Sequence, residues 1–174
     1  LLDQAHRMLR DPRILRLAEQ FACQWLHIRG FDQNDDKNEK RFPEFVTLRG
    51  DMYEESIRFL TDLFQTDGSL LSLLNADHTF VNGPLAEFYG IPGVEDATWQ
   101  RAEGVQQQGR GGVLGWATTL AKQSGATRTS PILRGNWVYE TLLGERLPKP
   151  PPNVPQLPDG VPEGLTARQL IEQH

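Results

Sequence analysis

Residues 43–64 read PEFVTLRGDMYEESIRFLTDLF, a stretch whose apolar side chains recur mostly at steps of three and four residues. This spacing places them on one face of a helix, which the rest of the fold can bury. The predicted buried face consists of Phe45, Leu48, Met52, Phe59, Leu60 and Leu63. On the outer face, Glu54 and Arg58 are spaced for a salt bridge across one turn. The stretch therefore predicts a long amphipathic helix, which ends before Gly68.

A second long helix is predicted for residues 12–28, which read PRILRLAEQFACQWLHI. Asp11 is suited to cap its start, and Pro12 occupies the first helical position, where no backbone N–H is needed. Gly30 marks its end. The predicted apolar stripe consists of Ile14, Leu17, Phe21, Trp25 and Ile28, and it is broadened by Ala18, Ala22 and Leu26.

The remaining elements are shorter. Helices are expected at residues 69–74, 82–89, 113–122 and 131–143 and from Thr166 onward, and a short strand or hairpin arm within residues 98–105. Seven of the twelve prolines lie between Pro148 and Pro162, which predicts an extended arm. The predicted fold class is mainly α, with two long packed helices, short covering helices and a C-terminal proline-rich extended arm.

Composition excludes several classes of protein. The 174 residues fit one medium domain or a small domain with an arm, and a net charge of −5 argues against a general nucleic-acid binder. No apolar run approaches twenty residues and the mean hydropathy is −0.50, which excludes a membrane span within this sequence. The single cysteine, Cys23, excludes an internal disulfide framework, a four-thiolate zinc site and a covalent haem motif within these residues.

No residue pattern predicts a metal site or a catalytic nucleophile. Asp32, Asn34 and Asp36 alternate as in a calcium loop, but Lys37 and Pro43 stand where such a loop needs glycine and glutamate. No two of the four histidines lie within four residues of each other, and the serines lack the spacing of nucleophile motifs. We therefore expect no catalytic residue and no metal ligand in this sequence.

One segment is basic. Residues 110–149 contain six basic and two acidic residues, which gives this segment a net charge of +4. Arg128 and Arg134 flank Ser130, whose helix start offers unpaired N–H groups to an anion. The candidate residues for anion or partner binding are therefore Arg110, Arg128, Ser130, Arg134 and Trp137. The alternative, which we favour, is that these arginines form internal ion pairs with the acidic part of the chain.

Several strings resemble a known group of proteins. They are FACQWL at residues 21–26, LRGDM at 48–52, ADHTFVN at 76–82, RGGVLG at 110–115, RTSPILRGNWV at 128–138 and PPPNVPQLP at 150–158. With them the chain resembles the paired domains of unknown function 1592 and 1588 of planctomycete multidomain cytochrome-c-like proteins. The resemblance covers nearly the whole chain and predicts a first domain at residues 1–104 and a second at 110–174, with the proline-rich arm at 148–162.

The resemblance implies a setting rather than a reaction. It implies a piece of an exported, periplasmic or cell-surface protein, whose covalent haem c belongs to a Cys-x-x-Cys-His motif downstream of this sequence. The expected function is a non-catalytic structural domain that positions this haem module for electron transfer, with neighbouring domains as its partners. The alternatives are a redox enzyme domain whose cleft is rimmed by Arg110, Arg128 and Arg134, or a binding module for anionic polysaccharide that also uses Trp137.

Overall fold

The computed structural model describes residues 1–34, 36–149, 152–153 and 164–173. These residues are mainly α-helical with one small two-stranded sheet, which confirms the predicted class. The chain divides into two compact units, Leu1–Lys122 and Gln123–His174. Residues 150–151 and 154–163, which make up most of the predicted proline-rich arm, lie outside the described residues. The arm and the packing of the two long helices stay predictions.

The first unit begins with helix α1, Leu2–Leu9, followed by helix α2, residues 12–25. The Asp11 carboxylate accepts a hydrogen bond from the Arg13 amide at 2.9 Å, so the predicted cap forms. Helix α2 contains a π-helical turn at Ala18–Ala22. It ends earlier than predicted, because His27 adopts a left-handed backbone conformation with φ of +60°.

Three residues of the predicted apolar stripe of α2 are exposed, and two of them, Phe21 and Trp25, lie within or after the π-helical turn. A π turn takes in an extra residue and so rotates the following side chains relative to a regular helix. Leu17, Phe21 and Trp25, predicted to be buried, are 39%, 60% and 39% exposed. The prediction was wrong for these three residues. The other five residues of the predicted stripe are buried, and so is Cys23; they are Ile14, Ala18 and Ala22 and, just beyond α2, Leu26 and Ile28.

Helix α3, Phe45–Gln65, confirms the long amphipathic helix predicted for residues 43–64. All six apolar residues predicted to be buried are buried, and the Arg58 guanidinium pairs with the Glu54 carboxylate at 2.8 Å. The same helix buries the polar side chains of Glu55 and Ser56, which the apolar pattern did not predict.

A hairpin and two short helices cover α3. Strands β1, His78–Val81, and β2, Gln100–Glu103, pair antiparallel with Thr79 opposite Ala102. The strand β2 lies within the predicted range, whereas β1 was not predicted. Helix α4, Ser72–Asn75, precedes β1, and helix α5, Gly83–Tyr89, follows it. The Asn82 side chain caps α5 by accepting a bond from the Leu85 amide at 3.1 Å.

The first unit is completed by a glycine-rich turn and helix α6, Ala117–Lys122. Gly109, Gly111 and Gly112 all have positive φ, as the predicted tight turn requires. The helix starts four residues later than the predicted residue 113, and the Val113 amide donates to the Leu73 carbonyl oxygen at 2.6 Å.

The second unit contains helix α7, Pro131–Trp137, which continues as a π-helical turn at Val138–Leu142. Ser130 caps α7 as predicted, because its hydroxyl accepts a bond from the Leu133 amide at 3.2 Å. Helix α8, Ala167–Gln173, is the last described element. In neither unit do the described residues include a helix with the length and apolarity that a membrane crossing requires.

Candidate functional site

A buried carboxylate lies inside the first unit. Glu55 lies on the same face of α3 as Met52 and Phe59, and its side chain is 0% exposed. One carboxylate oxygen accepts a bond from the Thr79 hydroxyl at 2.5 Å, and the other accepts a bond from the Tyr89 hydroxyl at 2.5 Å. Helix α3, strand β1 and helix α5 therefore meet at this one group.

Burial sets the acidity of this carboxyl. Loss of solvation raises the pKa of Glu55 to about 7, although the bonds from Thr79 and Tyr89 and the charge of Arg110 act in the opposite direction. Burial, together with the neighbouring Glu55, raises the pKa of Tyr89 well above its usual value. Near neutral pH, Glu55 therefore titrates while Tyr89 keeps its proton.

Residues after β2 close the other side of the carboxylate. The Arg110 guanidinium carbon lies 3.9 Å from the centroid of the Tyr89 ring, and its Nη1 donates to the Gly115 carbonyl oxygen at 3.1 Å. The Ala117 amide donates to the Tyr89 hydroxyl oxygen at 3.3 Å. We call Glu55, Thr79, Tyr89 and Arg110 the Glu55 cluster.

The chemistry open to this cluster is limited by its burial. A carboxyl with a pKa near 7 is suited to act as a general base or acid near neutral pH. However, Glu55 is fully buried and both of its oxygens accept bonds from side chains of the core. A substrate would reach it only after the core had opened. The arrangement joins secondary-structure elements instead of presenting a reactive group.

The structure places the predicted anion-binding residues in different settings. Arg110 belongs to the first unit and is half-buried against Tyr89. Arg128 and Arg134, in the second unit, are also half-buried, and burial lowers the pKa of Arg134. Trp137 is 4% exposed, so its ring lies in the interior. An anion site at these residues stays a prediction.

Arg128 and Ser130 do come together. They line a cavity of about 40 Å³, along with Leu170 and Ile171 of helix α8. A water molecule occupies about 30 Å³ in the liquid, so this space suits one or a few waters and not a sugar ring. The enzyme and polysaccharide alternatives stay predictions that this cavity does not favour.

A second concave region lies beside β1. A cleft of about 130 Å³ is lined in part by Phe59, Asp62, His78 and Arg101. The His78 ring stacks on Phe59 with centroids 5.0 Å apart, and burial, followed by the charge of Arg101, lowers the pKa of His78. Arg101 pairs with Asp62 at 2.9 Å and with Glu103 at 2.6 Å. These contacts hold β2 against α3.

The chain's residues do not fit a covalent haem. The sequence has one cysteine, so no Cys-x-x-Cys-His motif exists within these 174 residues. The Cys23 thiol is buried, and burial raises its pKa to about 11, which disfavours the reactive thiolate. In the described part of the chain, no group of three or more His, Cys, Asp or Glu side chains is placed to hold a metal ion.

Glu55 was not among the predicted site residues, although the helical pattern contained a signal for it. Position 55 lies three residues after Met52 and four before Phe59, in the register of the buried stripe of α3. An acidic residue in that register predicts a buried carboxylate that needs partners. Thr79 and Tyr89 are far from it in sequence, so their identity as partners required the structure.

Comparison with known families gives two matches. Residues 1–91 match the family described as PSD4, protein of unknown function (DUF1592), and residues 110–174 match PSCyt3, protein of unknown function (DUF1588). These are the two domains that the resemblance named. No curated protein and no solved structure matches the chain. The first match covers more than half of the residues of this chain, and the chain therefore belongs to the PSD4 family of proteins of unknown function, DUF1592.

Proposed function

We propose that the chain is a non-catalytic structural domain of an exported multidomain protein, and that it positions a haem-bearing module of the same polypeptide for electron transfer. The observation that supports this most directly is the closure of the Glu55 cluster. Glu55, whose pKa burial raises to about 7, accepts hydrogen bonds on both carboxylate oxygens from side chains of the core itself. Its role is therefore cohesion between elements.

The strings that carry the resemblance also serve the core. Asn82, at the end of ADHTFVN, caps α5. Arg110, at the start of RGGVLG, stacks on Tyr89, and Gly112 lies so close to the Leu73 carbonyl oxygen that a Cβ there would be 2.7 Å from it. These residue types are explained by packing, which is what a supporting domain requires.

In this proposal the haem belongs to a neighbouring module. A c-type haem would supply the electron transfer, and this chain would supply a fixed position for it. The location outside the cytoplasm is part of the same proposal and rests on the resemblance. Cys23, buried and alone, takes no part in it.

The test is a magnetic measurement on the polypeptide that joins this chain to its haem module. An oxidised low-spin haem shifts nearby amide resonances in a way that depends on distance and direction, whereas the reduced form serves as the reference. We expect shifts at amides of this chain that fit one magnetic tensor. A flexible Gly/Ser linker inserted between chain and module should abolish them, because the module then samples many orientations.

Two results would contradict the proposal. Shifts that average to zero in the native polypeptide would show a module that moves independently of this chain. Stoichiometric pigment, bound metal or turnover in the isolated chain would show that it carries out chemistry of its own.

A further inference from the structure

We propose that residues 110–122, which open the DUF1588 match, form a docking segment for a receptor face built by the DUF1592-matched residues, and that the two stay associated when the chain between them is cut. The occupant of this face is thus residues 110–122 of the same chain, which begin with Arg-Gly-Gly-Val-Leu-Gly-Trp. The proposal is independent of the haem module.

Backbone contact is the first argument. A Cβ at Gly111 would overlap the Ala76 carbonyl oxygen, and one at Gly112 would lie 2.7 Å from the Leu73 carbonyl oxygen. The Val113 amide donates to that same Leu73 oxygen at 2.6 Å. The segment therefore lies directly on the backbone of residues 73–76, a distance that only glycine permits at these two positions.

Side-chain burial is the second argument. Val113 and Trp116 are fully buried, and the Trp116 ring meets Phe59 of α3 edge-on with centroids 5.1 Å apart. The Thr118 hydroxyl pairs with the Ser56 hydroxyl of α3 at 2.8 Å, and both are fully buried. Apolar anchors with a paired polar contact are the features of a specific interface.

The Glu55 cluster is the third argument, because the segment completes it. Arg110 covers the Tyr89 ring, and the Ala117 amide donates to the Tyr89 hydroxyl. Without the segment, Tyr89 would lose the donor to its hydroxyl and the cation over its ring. The receptor face is therefore matched to this segment in polarity as well as in shape.

The connection between the two parts is suited to cutting. Gln106 and Gln107 are exposed, and they lie in a short 3₁₀ turn bounded by Gly104 and Gly109, both with positive φ. A protease recognition sequence inserted between Gln107 and Gln108 of the full chain can be cut under native conditions. Size-exclusion chromatography with mass spectrometry then shows which pieces remain together.

We expect the two pieces to elute as one complex with no denaturant present. Elution as separate species would overturn the proposal. In Gly112→Ala the cut pieces should dissociate at least 100-fold faster than in the cut wild type. Gly50→Ala should leave the dissociation rate unchanged, because a Cβ at Gly50 meets nothing within 4 Å.

A milder variant covers the case in which Gly112→Ala does not fold. Arg110→Ala removes the cation from Tyr89 but leaves the backbone contact, and it should separate the cut pieces about tenfold faster. Lys122→Ala, at the exposed end of the same segment, is the matched control and should behave as the wild type. Equal rates for Arg110→Ala and Lys122→Ala would overturn the proposal, because the pieces would then be held by other contacts.

Discussion

Glu55 links the stability of the protein to pH, because folding moves this carboxyl from water into the core. Its pKa rises from 4.5 to about 7. Between these values the native state holds a proton that the unfolded state has released, so the free energy of unfolding falls as pH rises. The slope from this group is at most about 1.4 kcal/mol per pH unit, and it vanishes above the native pKa.

The expected result is a decrease in the free energy of unfolding between pH 5 and pH 8 that Glu55→Gln removes, measured by urea titration at each pH. His78 acts in the opposite direction, because its native pKa is lowered. The difference between wild type and variant therefore isolates Glu55. Glu54→Gln changes the half-buried neighbour that pairs with Arg58, and it should keep the wild-type pH dependence. An unchanged pH profile in Glu55→Gln would contradict the buried position of Glu55.

Removing the Tyr89 hydroxyl, which donates a hydrogen bond to Glu55, is a second test of the buried carboxylate. Tyr89→Phe removes the donor to one Glu55 oxygen and the acceptor of the Ala117 amide. Leaving buried polar groups unpaired costs about 1–3 kcal/mol, which a urea titration at pH 6 resolves. The pKa of Glu55 should also rise further, because its charged form loses a hydrogen bond. An unchanged free energy of unfolding in Tyr89→Phe would show that the Tyr89 hydroxyl is not part of the core.

At the scale of elements, the exposed position of Phe21 in the π-helical turn of α2 makes a prediction that differs from the apolar stripe expected of a regular helix. Phe21 lies on the exposed side, so Phe21→Ala should cost less than about 1 kcal/mol, although Phe→Ala in a core costs about 3–5 kcal/mol. Leu26 is fully buried, so Leu26→Ala should cost about 2–5 kcal/mol. Urea titration of both variants checks this. A larger cost for Phe21→Ala than for Leu26→Ala would contradict the exposed position of Phe21.

Gly50 is a weak point inside α3. It is exposed and a Cβ there meets nothing within 4 Å, so its only effect is the flexibility that glycine gives to the unfolded chain. Gly50→Ala should raise the free energy of unfolding by about 0.5–1 kcal/mol. Thermal unfolding measures this as a higher Tm. A lower Tm would mean that the backbone at this position needs glycine.

The elements that could be predicted from sequence are those with a strong local signal. Helix α3 repeats its apolar side chains over five turns, and α5 has both an Asn82 cap and a Gly90 terminator with φ of +70°. Strand β1 has four residues and forms only by pairing with β2, about twenty residues later, so no local alternation predicted it. The π-helical turn in α2 has no local signal, because its apolar residues also fit a regular period.

The candidate site was less predictable than the fold. The basic segment made Arg110 a candidate for anion binding, which stays a prediction, whereas the position of its guanidinium over the Tyr89 ring had no signal in the sequence. Charge patterns show where cations occur along the chain, whereas their partners depend on contacts between distant residues. For the same reason the buried register of Glu55 could be read from the sequence, but its role in joining α3, β1 and α5 could not.

At the scale of the whole molecule, family boundaries and structural units do not coincide. The second family match begins at residue 110, whereas the first compact unit extends to Lys122. Residues 110–122 thus belong to one family by sequence and pack with the other in structure. In this chain the core of the first unit therefore contains the opening segment of the second family match.

Native-state hydrogen exchange tests the central claim most directly, which is that the Glu55 cluster and residues 110–122 form one cooperative core with α3. The amides to follow are those of Ala117 and Leu120, which bond to the Tyr89 hydroxyl and the Trp116 carbonyl, and those in the middle of α3. We expect them to share one opening free energy and one denaturant dependence. Exchange of Ala117 and Leu120 through a low-energy opening, while α3 stays protected, would contradict the account.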